Sequence, residues 1–116
     1  EIDKLLRGKL SAVLAPSLWY ETGPLTVQEA AAVGVPAIVS DRCGAAERVK
    51  PGIGGFVVEP SAEAVAGAMR RLMEGGAAQR LGMGAYGAYW ADPPTPAAHA
   101  RRLIALYEEL LARKAG

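Results

Sequence analysis

A chain of 116 residues is long enough for one domain with a buried core and fits no more than one. Its formal net charge of +1 leaves no strong field to recruit nucleic acid or an anionic membrane. The 51% hydrophobic share is inflated by alanine, no stretch approaches the roughly 18 consecutive apolar residues of a membrane span, and no signal-peptide pattern opens the chain, so a cytoplasmic location is expected.

Periodicity predicts a helix over Ile2 to Gly8, then a short buried strand over Ala12 to Ala15, read from the apolar run SAVLA. Pro16, Ser17, two aromatics and Glu21 follow. Thr22, Gly23 and Pro24 then form a turn that opens a helix over Leu25 to Val33, closed by Gly34. Pro24 fits the first helical position, where its missing N–H would be unpaired anyway. The free N–H groups of Leu25 and Thr26 are therefore expected to point into the crevice above the strand end, a ready anion site.

A second strand is predicted over Ala37 to Ser40, a helical turn near Ala45 to Val49, and a third strand over Gly55 to Val58. Gly54 and Gly55 read first as a demand of backbone geometry. Helices are expected over Ala62 to Glu74, Ala77 to Trp90 and Ala97 to Arg113, with a bend at the proline-rich run from Asp92 to Pro96. Strands alternating with helices predict an α/β fold: a three-layer, Rossmann-like parallel sheet of about three strands with flanking helices and additional C-terminal helices. The last helix carries Leu103, Leu106 and Leu110 with Ile104 and Leu111 on one stripe, which must dock somewhere. Self-association through that helix is one expectation.

Several residues read in two ways. Glu21 is a ligand contact or a solvated loop carboxylate, and Glu29 a ligand contact or an ordinary surface residue. Glu47 is a local partner for Arg42 or Arg48, or a ligand contact. Trp19 and Tyr20 read as packing residues at the strand end, and His99 as a surface residue. The single Cys43 excludes an internal disulfide and reads as a small turn residue, since no His partner is marked nearby.

Pro16, Ser17, Trp19, Tyr20, Glu21, Glu29, Ala30, Gly34, Pro36 and Ser40 together match a linked pattern. That pattern resembles the donor-binding signature of the retaining, nucleotide-sugar-dependent glycosyltransferases of the GT-B fold, the group that includes sucrose synthases, glycogen synthases and bacterial mannosyltransferases. The run from Cys43 to Val49 resembles that family's Gly-Gly-x-x-Glu turn with Ala45 replacing one glycine. Gly52 to Pro60 resembles the segment leading into its next strand. The likeness covers essentially the whole chain.

The resemblance implies an incomplete C-terminal, donor-binding domain over residues 1–116, whose parent moves a hexosyl group from a nucleoside diphosphate sugar to an acceptor with retention. Carboxylates accept hydrogen bonds from vicinal hydroxyls, so Glu29 suits the ribose diol and Glu21 the sugar; Glu21 is also the candidate catalytic residue. The N–H groups of Leu25 and Thr26 suit the diphosphate, and Thr22, Gly23 and Pro24 add backbone contacts to the sugar. Many members carry Phe-Gly where this chain has Gly23 and Pro24, so one N–H donor is absent here. No metal and no cofactor are implied. The family's basic pair, which stabilises the departing diphosphate, has no match in this sequence; Lys4, Arg7 and Lys9 lie in the preceding helical region instead. The isolated chain is expected to be inactive without the N-terminal domain. Two other classes stay open: a stand-alone nucleotide or nucleotide-sugar binding module, and a fragment of a sugar-nucleotide epimerase or phosphorylase of the same two-domain architecture.

Overall fold

The computed structural model describes Lys4 and residues 8–116. The helix expected over Ile2 to Gly8 lies almost wholly outside the described residues. Three short strands, β1 (Val13–Ala15), β2 (Ala37–Ser40) and β3 (Gly55–Val58), form one sheet in the order β1-β2-β3. Both pairings are parallel: Val13 sits opposite Ala37, and Ala37 opposite Gly55. All four residues of β2 are buried, as a central strand covered on both faces requires. The edge strand β1 leaves Leu14 partly exposed.

Helix α1 (Leu25–Ala32) connects β1 to β2, and a 3₁₀ turn (Gly44–Glu47) lies between β2 and β3. Three helices follow: α2 (Ala62–Leu72), α3 (Ala77–Ala91) and α4 (Pro96–Ala115). Alternation along β2 sorts the core into two faces. Val39 and Ala37 pack with Val27 of α1 and with Cys43, Ala45 and Val49 of the turn. Ile38 packs on the other face with Phe56, Ala68, Leu72 and Leu81, under α2 and the start of α3. Helix, sheet and helix therefore make three layers, and burying Ile38 or Val39 contributes roughly 1.5–3 kcal/mol each. Further along, α3 reaches α1, where the Trp90 indole N–H donates to the Ala32 carbonyl at 3.1 Å.

The glycine pair before β3 is a matter of backbone space, as its sequence suggests. A Cβ on Gly55 would stand 1.9 Å from the Ala37 carbonyl oxygen, so only glycine lets β3 enter this register. Helix starts follow the local chemistry. The Ser61 hydroxyl accepts from the Ala64 N–H at the head of α2, and the Thr95 hydroxyl from that of Ala98 at the head of α4. The bend over Asp92 to Pro96 separates α3 from α4, as expected. None of the twenty residues of α4 is buried. Its apolar stripe, joined by Tyr107, is uncovered, and His99 is an exposed residue of its first turn.

One position differs from the expectation. Pro24 is the residue before α1 and not its first helical residue: its φ of −70 is compatible with helix, but its ψ of 133 is extended. Proline is suited to this place because only a carbonyl is needed there, and the Pro24 carbonyl accepts from the Val27 N–H at 3.2 Å.

Candidate functional site

The site forms where the segments leaving the C-terminal ends of β1 and β2 meet. Such ends, in an open parallel sheet, are where ligands of α/β proteins gather. Glu21 and Cys43 form an isolated parallel bridge beyond the strands. The Glu21 N–H donates to the Arg42 carbonyl at 3.4 Å, and the Glu21 carbonyl accepts from the Gly44 N–H at 2.9 Å. Two further bonds join the same segments. The Ser40 hydroxyl donates to the Ser17 carbonyl at 2.8 Å, and the Arg42 guanidinium donates to the Leu18 carbonyl at 2.8 Å. The approach is so close that a Cβ on Gly23 would lie 2.7 Å from the Ala45 nitrogen, and Gly23 itself has a φ of +107. Glycine is required there on both counts.

With its backbone clamped, Glu21 keeps an exposed side chain, whose carboxylate accepts a hydrogen bond from the Ser17 hydroxyl. Thr22 is exposed beside it, and Gly23 and Pro24 are half-buried where the segment enters α1. Helix α1 buries Val27 and Ala30 and turns Leu25, Thr26 and Glu29 outward together. Those three residues share one face by helical spacing, so Glu29 stands about one turn beyond the open N-terminus. No side chain caps that N-terminus. The N–H groups of Leu25 and Thr26 have no acceptor among the described residues. An uncapped helix start, with its partial positive charge, can hold an anion, and the two exposed carboxylates can accept from hydroxyls on either side of it.

Trp19 and Tyr20 are not the packing residues their position suggested; they are 76% and 86% exposed. The segment that carries them is anchored instead through the Ser17 and Leu18 carbonyls. Arg42 is engaged with the Leu18 carbonyl rather than serving Glu47. Cys43 is a buried core residue. A cavity of about 280 Å³ opens elsewhere, beside Ala37 at the start of β2 and between α1, Val49 and α3. Glu47 lines it, whereas Glu21, Thr22, Gly23, Pro24, Leu25, Thr26 and Glu29 do not. Among the described residues no group of three or more His, Cys, Asp or Glu side chains could hold a metal ion, and no helix is long and apolar enough to cross a membrane.

Ser17, Ser40 and Arg42 tie the site together, a role that sequence reasoning does not assign to them. The signal available was a serine two residues beyond the end of β1 and another at the end of β2.

A three-layer parallel sheet with an uncapped helix start beside its strand ends defines a Rossmann-like α/β unit. The chain belongs to the glycosyl transferases group 1 family, whose sequence model matches residues 1–90. Among solved structures it is similar to a sucrose-phosphate synthase from Thermosynechococcus elongatus, at 32% identity and a TM-score of 0.70 over 89% of this chain and 26% of that one. A glycosyltransferase from Rickettsia africae ESF-5 shares the fold, at 24% identity and a TM-score of 0.69 over 86% of this chain and 27% of the other. The chain thus spans about a quarter of the length of the structures it matches. A comparison with curated proteins finds no match.

Proposed function

We propose that residues 1–116 are part of the C-terminal, donor-binding domain of a retaining glycosyltransferase that takes a hexosyl group from a nucleoside diphosphate sugar. The observation that carries this reading is the clamp on Glu21: four hydrogen bonds with Ser40, Arg42 and Gly44, at and after the end of β2, hold the segment that bears Glu21, directly before the uncapped start of α1. A carboxylate fixed next to an open helix N-terminus offers an acceptor for sugar hydroxyls beside donors for a diphosphate. Glu29, one turn along the same exposed face, takes the ribose diol. Thr22, Gly23 and Pro24 line the sugar through their backbone.

Transfer with retention proceeds by front-face displacement. The bond from the anomeric carbon to the diphosphate oxygen breaks as the acceptor oxygen closes on the same face, and the departing diphosphate takes the acceptor proton. No protein nucleophile is needed, so Glu21 acts by holding the sugar. Stabilising the charge on the diphosphate carries much of the barrier reduction. Leu25 and Thr26 supply N–H donors for it, while a basic pair and the acceptor site come from outside this chain. The exposed Trp19 and Tyr20 and the uncovered stripe of α4 fit a surface that meets another domain.

Calorimetric titration with uridine, guanosine and adenosine diphosphates, their glucose conjugates and free glucose tests the reading. Weak binding of at least one diphosphate and its conjugate is expected, with none of free glucose and no sugar transfer by the isolated chain. Each missing charge-assisted contact costs about 1.5–3 kcal/mol. Turnover by the purified chain, or glucose binding without its nucleotide, refutes it.

A further inference from the structure

We infer that Ser17 is the positioning residue for the Glu21 carboxylate, and that Ser40 holds Ser17 from the end of the central strand. The inference rests on the reading of Glu21 as the sugar contact and adds what orients it.

Ser40 ends β2 after Ala37, Ile38 and Val39, and like them it is buried, with no exposed surface at all. An apolar residue would continue that run. A hydroxyl placed there costs free energy unless it is hydrogen-bonded, and its bond goes to the Ser17 carbonyl at 2.8 Å. Ser17 in turn donates its own hydroxyl proton to Oε1 of Glu21. A carbonyl and a carboxylate only accept, so Ser40 donates to the Ser17 backbone and the Ser17 side chain donates to the carboxylate.

The clamp on the Glu21 backbone leaves the side-chain torsions free, and the side chain is exposed. Without a partner the carboxylate would sample several staggered rotamers. The Ser17 bond to Oε1 selects one of them and leaves further acceptor sites on the carboxylate for a ligand. A carboxylate held in this way takes a sugar hydroxyl with less ordering left to do on binding.

Two measurements on the chain test this. The first is the Hα–Hβ three-bond couplings of Glu21 in the ligand-free chain. The native chain and Ser17→Thr, which keeps the hydroxyl, should show one dominant rotamer; Ser17→Ala should show averaged couplings, and Ser40→Ala partial averaging. The second is titration with the diphosphates and their glucose conjugates. Ser17→Ala should weaken the conjugates about three- to ten-fold and leave the plain diphosphates unchanged, with Ser17→Thr restoring the native value.

Averaged couplings in the native chain overturn the inference, as do equal losses from Ser17→Ala on both ligand types. Selective loss from Glu21→Ala with none from Ser17→Ala removes the positioning role and leaves the sugar reading intact. Equal losses from Glu21→Ala on both ligands, with couplings as expected, remove the sugar reading alone.

Discussion

Gly44 meets the Thr22 carbonyl so closely that a Cβ on it would lie 2.4 Å from that oxygen. The contact is backbone against backbone, so no flexible side chain can move aside. Gly44→Ala should therefore push apart the two segments that clamp Glu21. We expect a loss of about 1–3 kcal/mol in stability, the usual cost of overpacking a tight site. Thermal unfolding measures it. A melting temperature equal to that of the native chain would mean that the two segments are not held against each other.

Helix α3 carries glycines of two kinds. Gly82 lies against Gly34, where a Cβ would stand 2.1 Å from the carbonyl oxygen, whereas a Cβ on Gly87 would meet open space. The same substitution should have opposite signs at the two places. Gly87→Ala removes the entropic penalty of a mid-helix glycine and should stabilise by about 0.5–1 kcal/mol. Gly82→Ala forces α3 away from α1 and should destabilise by about 1–3 kcal/mol. Denaturant melts of the two variants check the contrast, and a matching sign would contradict the packing of α3 on the turn after α1.

Those glycines also mark where the sequence stopped being legible. Strands β2 and β3 were readable to the residue, because a continuous apolar run between turn signals has few other uses in an α/β chain. The bend before α4 was readable from its prolines. The orientation of Trp19 and Tyr20 was not: aromatic residues after a strand suggest packing. The segment is held through the Ser17 and Leu18 carbonyls, by Ser40 and Arg42, and not through its aromatic side chains, which are exposed. Pro24 falls one place earlier than expected for a similar reason, since its φ permits both states and its ψ decides. Glu21 and Glu29 could be singled out because they sit inside a linked pattern. Ser17 and Ser40 belong to the same pattern, but that Ser40 reaches Ser17 and Ser17 reaches Glu21 depends on two strands meeting in space.

The uncovered stripe of α4 leads to a prediction about association. Leu103, Ile104, Leu106, Tyr107, Leu110 and Leu111 are each at least 38% exposed. Apolar surface left open in this way favours self-association at high concentration. Sedimentation should show a concentration-dependent shift above the monomer, abolished by the double change Leu106→Glu and Leu110→Glu. Because no residue of α4 is buried, that variant should unfold at the native temperature. A clean monomer at high concentration in the native chain would rule this association out.

The two carboxylates of the candidate site should be separable by what each holds. Glu29 belongs to the exposed face of α1, a turn beyond its N-terminus, and is proposed to take the ribose diol; Glu21 is fixed before the helix and is proposed to take the sugar. Glu29→Ala should then weaken nucleoside diphosphate and nucleotide sugar alike. Glu21→Ala should weaken only the ligand that carries the sugar. A hydrogen bond to a charged group contributes roughly 1.5–3 kcal/mol, so each loss should be about ten- to a hundred-fold in affinity. Both side chains are exposed, and neither substitution removes a buried contact, so circular dichroism and melting temperature should match the native chain. Titration of both variants with both ligand types decides the matter. Equal losses on plain diphosphate, or no loss from Glu29→Ala in a folded protein, would show that the pair does not divide the donor between ribose and sugar.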